Sequence, residues 1–371
     1  MQNLPPAADL LPPSLIAGPQ PPDASPADRL RQAVLRLEAW FETMRQPGGY
    51  SGPVVHWWCD SLEYTGPGLD WRYEGLILGY LNLWQADRSP EWLAKACRAG
   101  DDLVEGQLPN GNYRNSGFEL NPSTGGTPPE AACDLALLRL AEALQAAGHP
   151  GWRKYLLAAE CNLCDYYLSR LWDPLARSFR DTPDVPGFVP NKTATLVEAL
   201  FAYASLNGGY GWIDTYALPA IERILEHQVP GGELKGAIYQ NSFGDRKIAR
   251  FFPYYIARCI PALLAAWEWT TDARLASAAR RAAGFILKWR QPHGGFAQVV
   301  YPRQRANLYP QWIAGAADIL RALDLARQVG LHYDPAPSLE WLLAGQRPDG
   351  GIRTALGFAQ ATPFRRSPDP R

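Results

Sequence analysis

Four carboxylates stand where acid–base chemistry could be done. Asp70 and Glu74 lie in "GLDWRYEG", and Glu130 and Asp134 lie in "PPEAACD". Two carboxyl groups can divide the work on one substrate if burial keeps one protonated as the acid and leaves the other ionised. On a glycosidic bond, carboxyls ~5–5.5 Å apart retain configuration, and a gap of ~6.5–9.5 Å admits a water and inverts it. Residues 130 and 134 are one helical turn apart and share a helix face. A carboxylate inside an otherwise apolar helix is costly unless it is paired or faces a wet cavity, so Glu74, Glu130, Asp134 and Glu198 each demand a partner. Structural roles compete for the same residues, since Asp70 precedes a helix and Glu130 follows Pro129 as helix-start residues do.

Around these acids the chain repeatedly sets aromatic rings beside polar groups. The candidates are Trp57, Trp58, Trp71, Arg72, Asn115, Asn191, Lys192, Tyr239, Gln240, Arg246, Arg250, Tyr254, Arg305, Tyr309 and Trp312. Aromatic faces can cover the apolar faces of a sugar ring while amides and charged groups bond its hydroxyls. A cavity for carbocations would instead pair aromatic faces with few charges. The arginines and Lys192 admit an anionic sugar, because guanidinium groups bind carboxylates in bidentate fashion. The five histidines show no metal-ligand spacing, so neither a metal nor a cofactor is expected.

Positioning these residues requires a large scaffold, and the composition allows one. The chain has 371 residues, of which 47% are hydrophobic, with 14 Trp. A formal net charge of -1 gives no overall attraction to nucleic acid or to an anionic membrane. No apolar run reaches the ~20 residues that span a bilayer. The first 26 residues, rich in Pro and Ala, read as a disordered or extended arm without a signal-peptide pattern, which predicts a cytoplasmic protein. Cys97, Cys133, Cys161, Cys164 and Cys259 fall in helical patterns and suit small buried thiols in a reducing compartment. The Cys161–Cys164 spacing has no second pair that would make it a zinc site.

A repeat organises the rest. "QPGGYSG" from Gln46, "QLPNGNYRN" from Gln107, "QPHGGFAQ" from Gln291 and "QRPDGGIRTALGF" from Gln346 each end a helical pattern. "LWDPLARSF" from Leu171 and "HQVPGGELKGAIYQ" from His227 fill the gaps. Successive marks are roughly 55–65 residues apart, room for two helices and two loops. Amphipathic helices such as "DARLASAARRAAGFILKWRQ" alternate with apolar ones such as "NKTATLVEALFAYASL" and "RFFPYYIARCIPALLAAWEW". Amphipathic helices outside and apolar helices inside make an all-α toroid of about eleven helices, an (α/α)5–6 barrel over residues 27–360 with a tail at 361–371. The Gly turns join each outer helix to the next inner one, and the polar candidates fall where the inner helices begin.

The turns resemble the Gln-x-x-Asp-Gly-Gly-aromatic turns of the α/α-toroid superfamily, which includes terpenoid cyclases, prenyltransferases and six-hairpin glycosidases. That resemblance implies the fold, and it implies an enzyme acting on an isoprenoid or a sugar. The cyclase acid motif Asp-x-Asp-Asp is absent. "DDLVE" (Asp101 to Glu105), the nearest match to a magnesium-binding Asp-Asp-x-x-Asp, ends an outer helix and is expected to be solvated. The sequence therefore predicts a carbohydrate-active enzyme, a hydrolase, lyase or epimerase, working on a small-molecule or oligosaccharide substrate that admits uronates. The alternatives are a terpenoid or prenyl-processing enzyme and a non-catalytic binding toroid.

Overall fold

The computed structural model describes residues 25–50, 52–55, 62–65, 68–114, 127–184, 186–303, 305–309, 311–352 and 355–356. The arm and the tail expected at the two ends lie outside or almost outside this set. Eleven helices run through the described residues. They are α1 Pro26–Glu42, α2 Arg72–Asp87, α3 Pro90–Glu105, α4 Thr127–Ala146 and α5 Trp152–Asn162, which continues as a π-helix over Leu163–Leu171. After them come α6 Pro190–Asn207, α7 Leu218–Glu226 (reached without a break through Tyr210–Trp212 and a π-helical stretch Ile213–Ala217), α8 Pro253–Thr270, α9 Ala273–Lys288, α10 Ile313–Leu325 and α11 Ala336–Ala344. The described strands are hairpin pieces two to four residues long.

Burial separates two rings. Every residue of α6 from Thr193 to Ala204 is buried, so this helix is covered on all sides. Helix α9 buries Leu275, Ala278, Ala279, Ala282, Ala283, Phe285 and Ile286, the three- and four-residue steps of a one-sided contact. The inner helices pack in order, α2 on α4, α4 on α6, α6 on α8 and α8 on α10, and outer helices lean on the inner helix of their own hairpin. Fully buried side chains such as Leu135, Leu137 and Ile260 each contribute about 1.5–3 kcal/mol of transfer free energy. Start signals are local: Ser25 accepts a hydrogen bond from the Asp28 backbone N–H at 3.2 Å, and Pro occupies the first position of α1, α3, α6 and α8, where its missing N–H is not needed.

The repeated turns have a mechanical role. The side-chain amide of Gln107 donates to the carbonyls of Gly111 (3.0 Å) and of Ala158 on the next outer helix (2.7 Å). Gln228 does the same to Gly236 and Ala278, and Gln346 to Gly350 and Ala33. Each glutamine thus closes its own turn and ties it to the neighbouring outer helix. The last bond joins the end of the chain to α1 and closes the ring, as does the Arg29–Glu340 ion pair. Gly236 and Gly350 adopt φ of +89° and +91°, and a Cβ would stand 2.1 Å from the Arg281 carbonyl oxygen and 2.4 Å from that of Arg36. Only glycine meets both demands.

Two turns differ from the sequence reading. Arg290, not Gln291, bridges to Phe296 in the register that Gln107 takes with Tyr113, and its guanidinium donates to the Asp334 carbonyl. Gln291 sits one residue late and bonds the Trp289 carbonyl. In the first turn Gln46 is exposed, and Arg45 makes the tie, to Asp102 of α3. Asp102 is itself buried at 5% exposure and also accepts from the Tyr73 hydroxyl at 3.1 Å. The "DDLVE" run is therefore not a solvated helix end; it fastens α3 to the first turn.

Candidate active site

A charged network crosses the interior of the ring. The Arg258 guanidinium of α8 grips Glu74 of α2 with two bonds, Nη1 to Oε1 at 3.1 Å and Nη2 to Oε2 at 2.6 Å. It also reaches the Thr195 hydroxyl on α6 at 3.3 Å and Asp318 on α10 at 3.5 Å. Arg321 of α10 stands 3.4 Å from Glu74 and 3.0 Å from Glu198 of α6. Helices α2 and α8 are not neighbours in the ring, so these bonds span its hollow. Arg258 and Asp318 each lie about 8 Å along their helices from the N-terminal ends, at ~1.5 Å per residue. The network thus forms a floor below the end where the Gly turns enter.

The five members are not equally accessible. The side chains of Glu74, Glu198 and Arg258 are 6%, 6% and 11% exposed, whereas Asp318 and Arg321 are 28% and 34% exposed. Burial pushes the Asp318 carboxyl above its ordinary range; Arg258 pulls it down, Glu74 pushes it further up, and Arg321 and a Tyr254 hydrogen bond pull it down. The net direction is upward, with burial the largest cause. Burial opposes the Arg258 cation, but Glu74 and Asp318 outweigh it and hold the group protonated.

Aromatic rings stand above this floor. Tyr254 and Trp312 meet edge to face at 5.2 Å, with Tyr255 5.6 Å from Tyr254 and 6.3 Å from Trp312. Phe252 packs 4.9 Å from Tyr255. A recess between α8 and α10 is lined by Phe252, Tyr254, Phe296, Gln298, Trp312 and Ile319. Ile319 directly follows Asp318, and Tyr254 lies one turn before Arg258, so the recess adjoins the charged floor.

Three of the four sequence-selected carboxylates, Asp70, Glu74 and Asp134, have separate partners. Glu74 is in the floor. Asp70 is fully buried at the start of α2 and is engaged by the Arg72 backbone N–H (3.1 Å) and guanidinium Nε (2.8 Å). Asp134 is also fully buried, and accepts from the Tyr113 hydroxyl (2.7 Å) and the Asn162 amide (2.7 Å). These bonds brace α4 against the second Gly turn and outer helix α5, so the partners that a buried Asp134 requires are a tyrosine hydroxyl and an amide. Glu130 belongs to α4, but its side chain lies outside the described residues, as do Trp57, Trp58 and Asn115.

The binding candidates divide similarly. Tyr254 and Trp312 form the aromatic wall, and Tyr309 is 44% exposed just before Trp312. Trp71 is exposed beside Asp70 and Arg72. Lys192, at the start of α6 next to Asn191, is spent on Asp181. Tyr239 packs 5.2 Å from Phe251 with the Lys247 ammonium 5.7 Å over its ring. The Gln240 backbone N–H bonds the Arg250 carbonyl. Arg246, Arg250 and Arg305 are exposed. Arg246 belongs to the hairpin whose Phe243, Gly244 and Asp245 line a separate cleft of about 550 Å³, which none of the five charged floor residues lines.

Sequence reasoning missed Arg258, Asp318 and Arg321. The available signal was the one that flagged Glu74 and Glu198: a charge within an apolar helix. Among the described residues no group of three or more His, Cys, Asp or Glu side chains is arranged to hold a metal ion, and no helix is long and apolar enough to cross a membrane. Cys161 and Cys164 are not disulfide-bonded.

No protein-family profile matches the chain, and no curated protein sequence matches it. Solved structures do. A D-mannose isomerase is similar over 91% of this chain and 92% of its own, with a TM-score of 0.66 and 15% identity. An unsaturated glucuronyl hydrolase specific for heparin is similar over 92% of this chain and 91% of its own, at 0.62 and 16%. The chain has the fold of the α/α toroids. A type II terpene cyclase from Scytonema is also similar, over 93% of this chain and 86% of its own, at 0.51 and 17%. At these identities the likeness is one of architecture, and the toroid reached from the turns and the two helix types is confirmed.

Proposed function

We propose that this toroid is a carbohydrate-active enzyme that works by acid–base catalysis on a sugar held in its mouth, with Asp318 as the group that carries the proton. What supports this is the placement of Asp318: a partly exposed carboxyl in the hollow of the ring, 3.5 Å from the buried Arg258 guanidinium, in surroundings whose burial pushes its pKa upward. Its neutral form can give a proton to a sugar oxygen, and its anion can take one from a hydroxyl or an activated carbon. Arg258 sets the balance between the two forms, and Glu74 fixes Arg258. Tyr254 and Trp312 supply the ring faces on which a sugar stacks. Glu130 remains the sequence candidate for a second carboxylate.

The likeness to structures named as a mannose isomerase and a glucuronyl hydrolase supports a sugar over an isoprenoid. So does the floor, because five charged groups would be a poor lining for a carbocation. The test is turnover of a panel of mono- and disaccharides in D2O followed by NMR. Hydrolysis appears as new anomeric signals, and isomerisation or epimerisation as loss of the proton next to the carbonyl carbon. Asp318→Asn should lower the rate by about 10²–10⁴-fold while the protein still unfolds cooperatively. No turnover or binding of any sugar by the folded protein, or full activity in Asp318→Asn, would overturn this reading.

A further inference from the structure

The charge on the floor says which sugars it accepts. Three carboxylates, Glu74, Glu198 and Asp318, face two guanidinium groups, Arg258 and Arg321. Arg258 is occupied by Glu74 on one side and Asp318 on the other, and Arg321 by Glu74 and Glu198. Both cations therefore already have two acidic partners each, and with all three acids ionised the group sums to one negative charge. Of the other cations that could meet an anionic substrate, Lys192 is paired with Asp181, and Arg246, Arg250 and Arg305 are exposed and take no part in the floor's ion pairs. A carboxylate arriving at the exposed edge of Arg321 would share a cation on which Glu74 and Glu198 already draw, and would add a further anion to a group in which the acids outnumber the guanidinium groups. A hydroxyl adds no such charge. It can donate to Asp318 or accept from the exposed edge of Arg321 while the ion pairs stay closed.

We infer that the mouth is built for neutral sugars and rejects uronates. This rests on the carbohydrate reading above and narrows it. Among the described residues, the cause is that three acids, Glu74, Glu198 and Asp318, already share the two cations Arg258 and Arg321.

The experiment compares three ligands of one shape on the intact protein by calorimetry: glucose, glucuronate and glucuronamide, then the corresponding mannose series. Glucuronamide carries the same C6 planar group without the charge. The expected result is that the neutral sugar and the amide bind alike and the uronate at least tenfold more weakly. Glu198→Gln keeps the shape and frees one side of Arg321, and should narrow that gap by roughly tenfold. A uronate bound as well as the neutral sugar overturns the inference and leaves the carbohydrate reading standing. Rejection of amide and uronate alike also overturns it, because shape rather than charge would then discriminate. Binding of none of the three in either series, by protein that unfolds cooperatively, fails the carbohydrate reading itself. The amide comparison needs no variant, so it decides the matter even if Glu198→Gln does not fold.

Discussion

Replacing Arg258 with methionine tests the floor as a single electrostatic unit. The guanidinium is 11% exposed and gives two bonds to Glu74, at 3.1 and 2.6 Å, besides its approach to Asp318 at 3.5 Å. One such pair at ~4 Å is worth about 4 kcal/mol of Coulomb energy at an effective dielectric of ~20. Without Arg258, Glu74 keeps Arg321 at 3.4 Å, and Asp318 loses the cation closest to it. Breaking a buried pair from one side costs about 3–5 kcal/mol, a large share of the ~5–15 kcal/mol that holds a domain folded. The Asp318 carboxyl should move further upward, because Arg258 is the strongest influence holding it down. Urea denaturation reads the first effect, and the pH–rate profile reads the second as a limb displaced to higher pH. The partner variant Glu74→Gln/Arg258→Met removes both charges and should recover about half of the loss or more, since well-packed neutral replacements of a buried pair are often close to neutral. A loss under about 1 kcal/mol in Arg258→Met, or a double variant no better than the single one, would mean that the guanidinium is solvated and the floor is not a closed unit.

His227 should make stability fall on acidification. It is fully buried between the Arg223 carbonyl and the Ser242 hydroxyl, and burial depresses its pKa from 6.5 to about 4. Its contribution is complete above pH 6.5 and declines as pH falls towards 4, by at most about 3 kcal/mol. Denaturation midpoints of wild type and His227→Gln across that window should converge as pH drops; parallel curves would show that the ring does not titrate there. The turn glycines should be far less replaceable than a helix-cap glycine. Gly350→Ala must clear the Arg36 carbonyl 2.4 Å away at φ +91° and should cost about 2–4 kcal/mol, whereas Gly208→Ala, at φ +71° with open space around it, should cost about 1 kcal/mol. Equal losses would refute the close approach of the turn to α1.

Several elements were legible before any coordinates. The amphipathic period of "DARLASAARRAAGFILKWRQ" places α9 outside, and the mostly apolar run of α6, without a polar face, places it inside, because burial on one side and burial on all sides leave different residue patterns. The Gln-Gly turns marked the period, since a glycine pressed against a neighbouring helix tolerates no substitute. The register slipped at Gln291 because Arg290 does the same bonding with a different side chain, and a pattern of letters does not register that equivalence. The floor was half legible. Glu74 and Glu198 stood out as charges in apolar helices, but Arg258 in "IARCIPALLAAW" and Asp318 and Arg321 in "AADILRAL" passed unremarked.

What the sequence determined alone is whatever depends on neighbours along the chain: helix starts, one-sided or all-round burial, the turn period, and from these the toroid. What the tertiary structure decided is which charges meet. Glu74 and Asp134 look alike on a helical wheel, yet one turns to the hollow and joins Arg258 across the ring, and the other turns outward to Tyr113 and Asn162. The difference comes from how each helix is rotated about its own axis. That rotation is set by the packing of all its neighbours together, and residues 184 positions apart carry no local record of it.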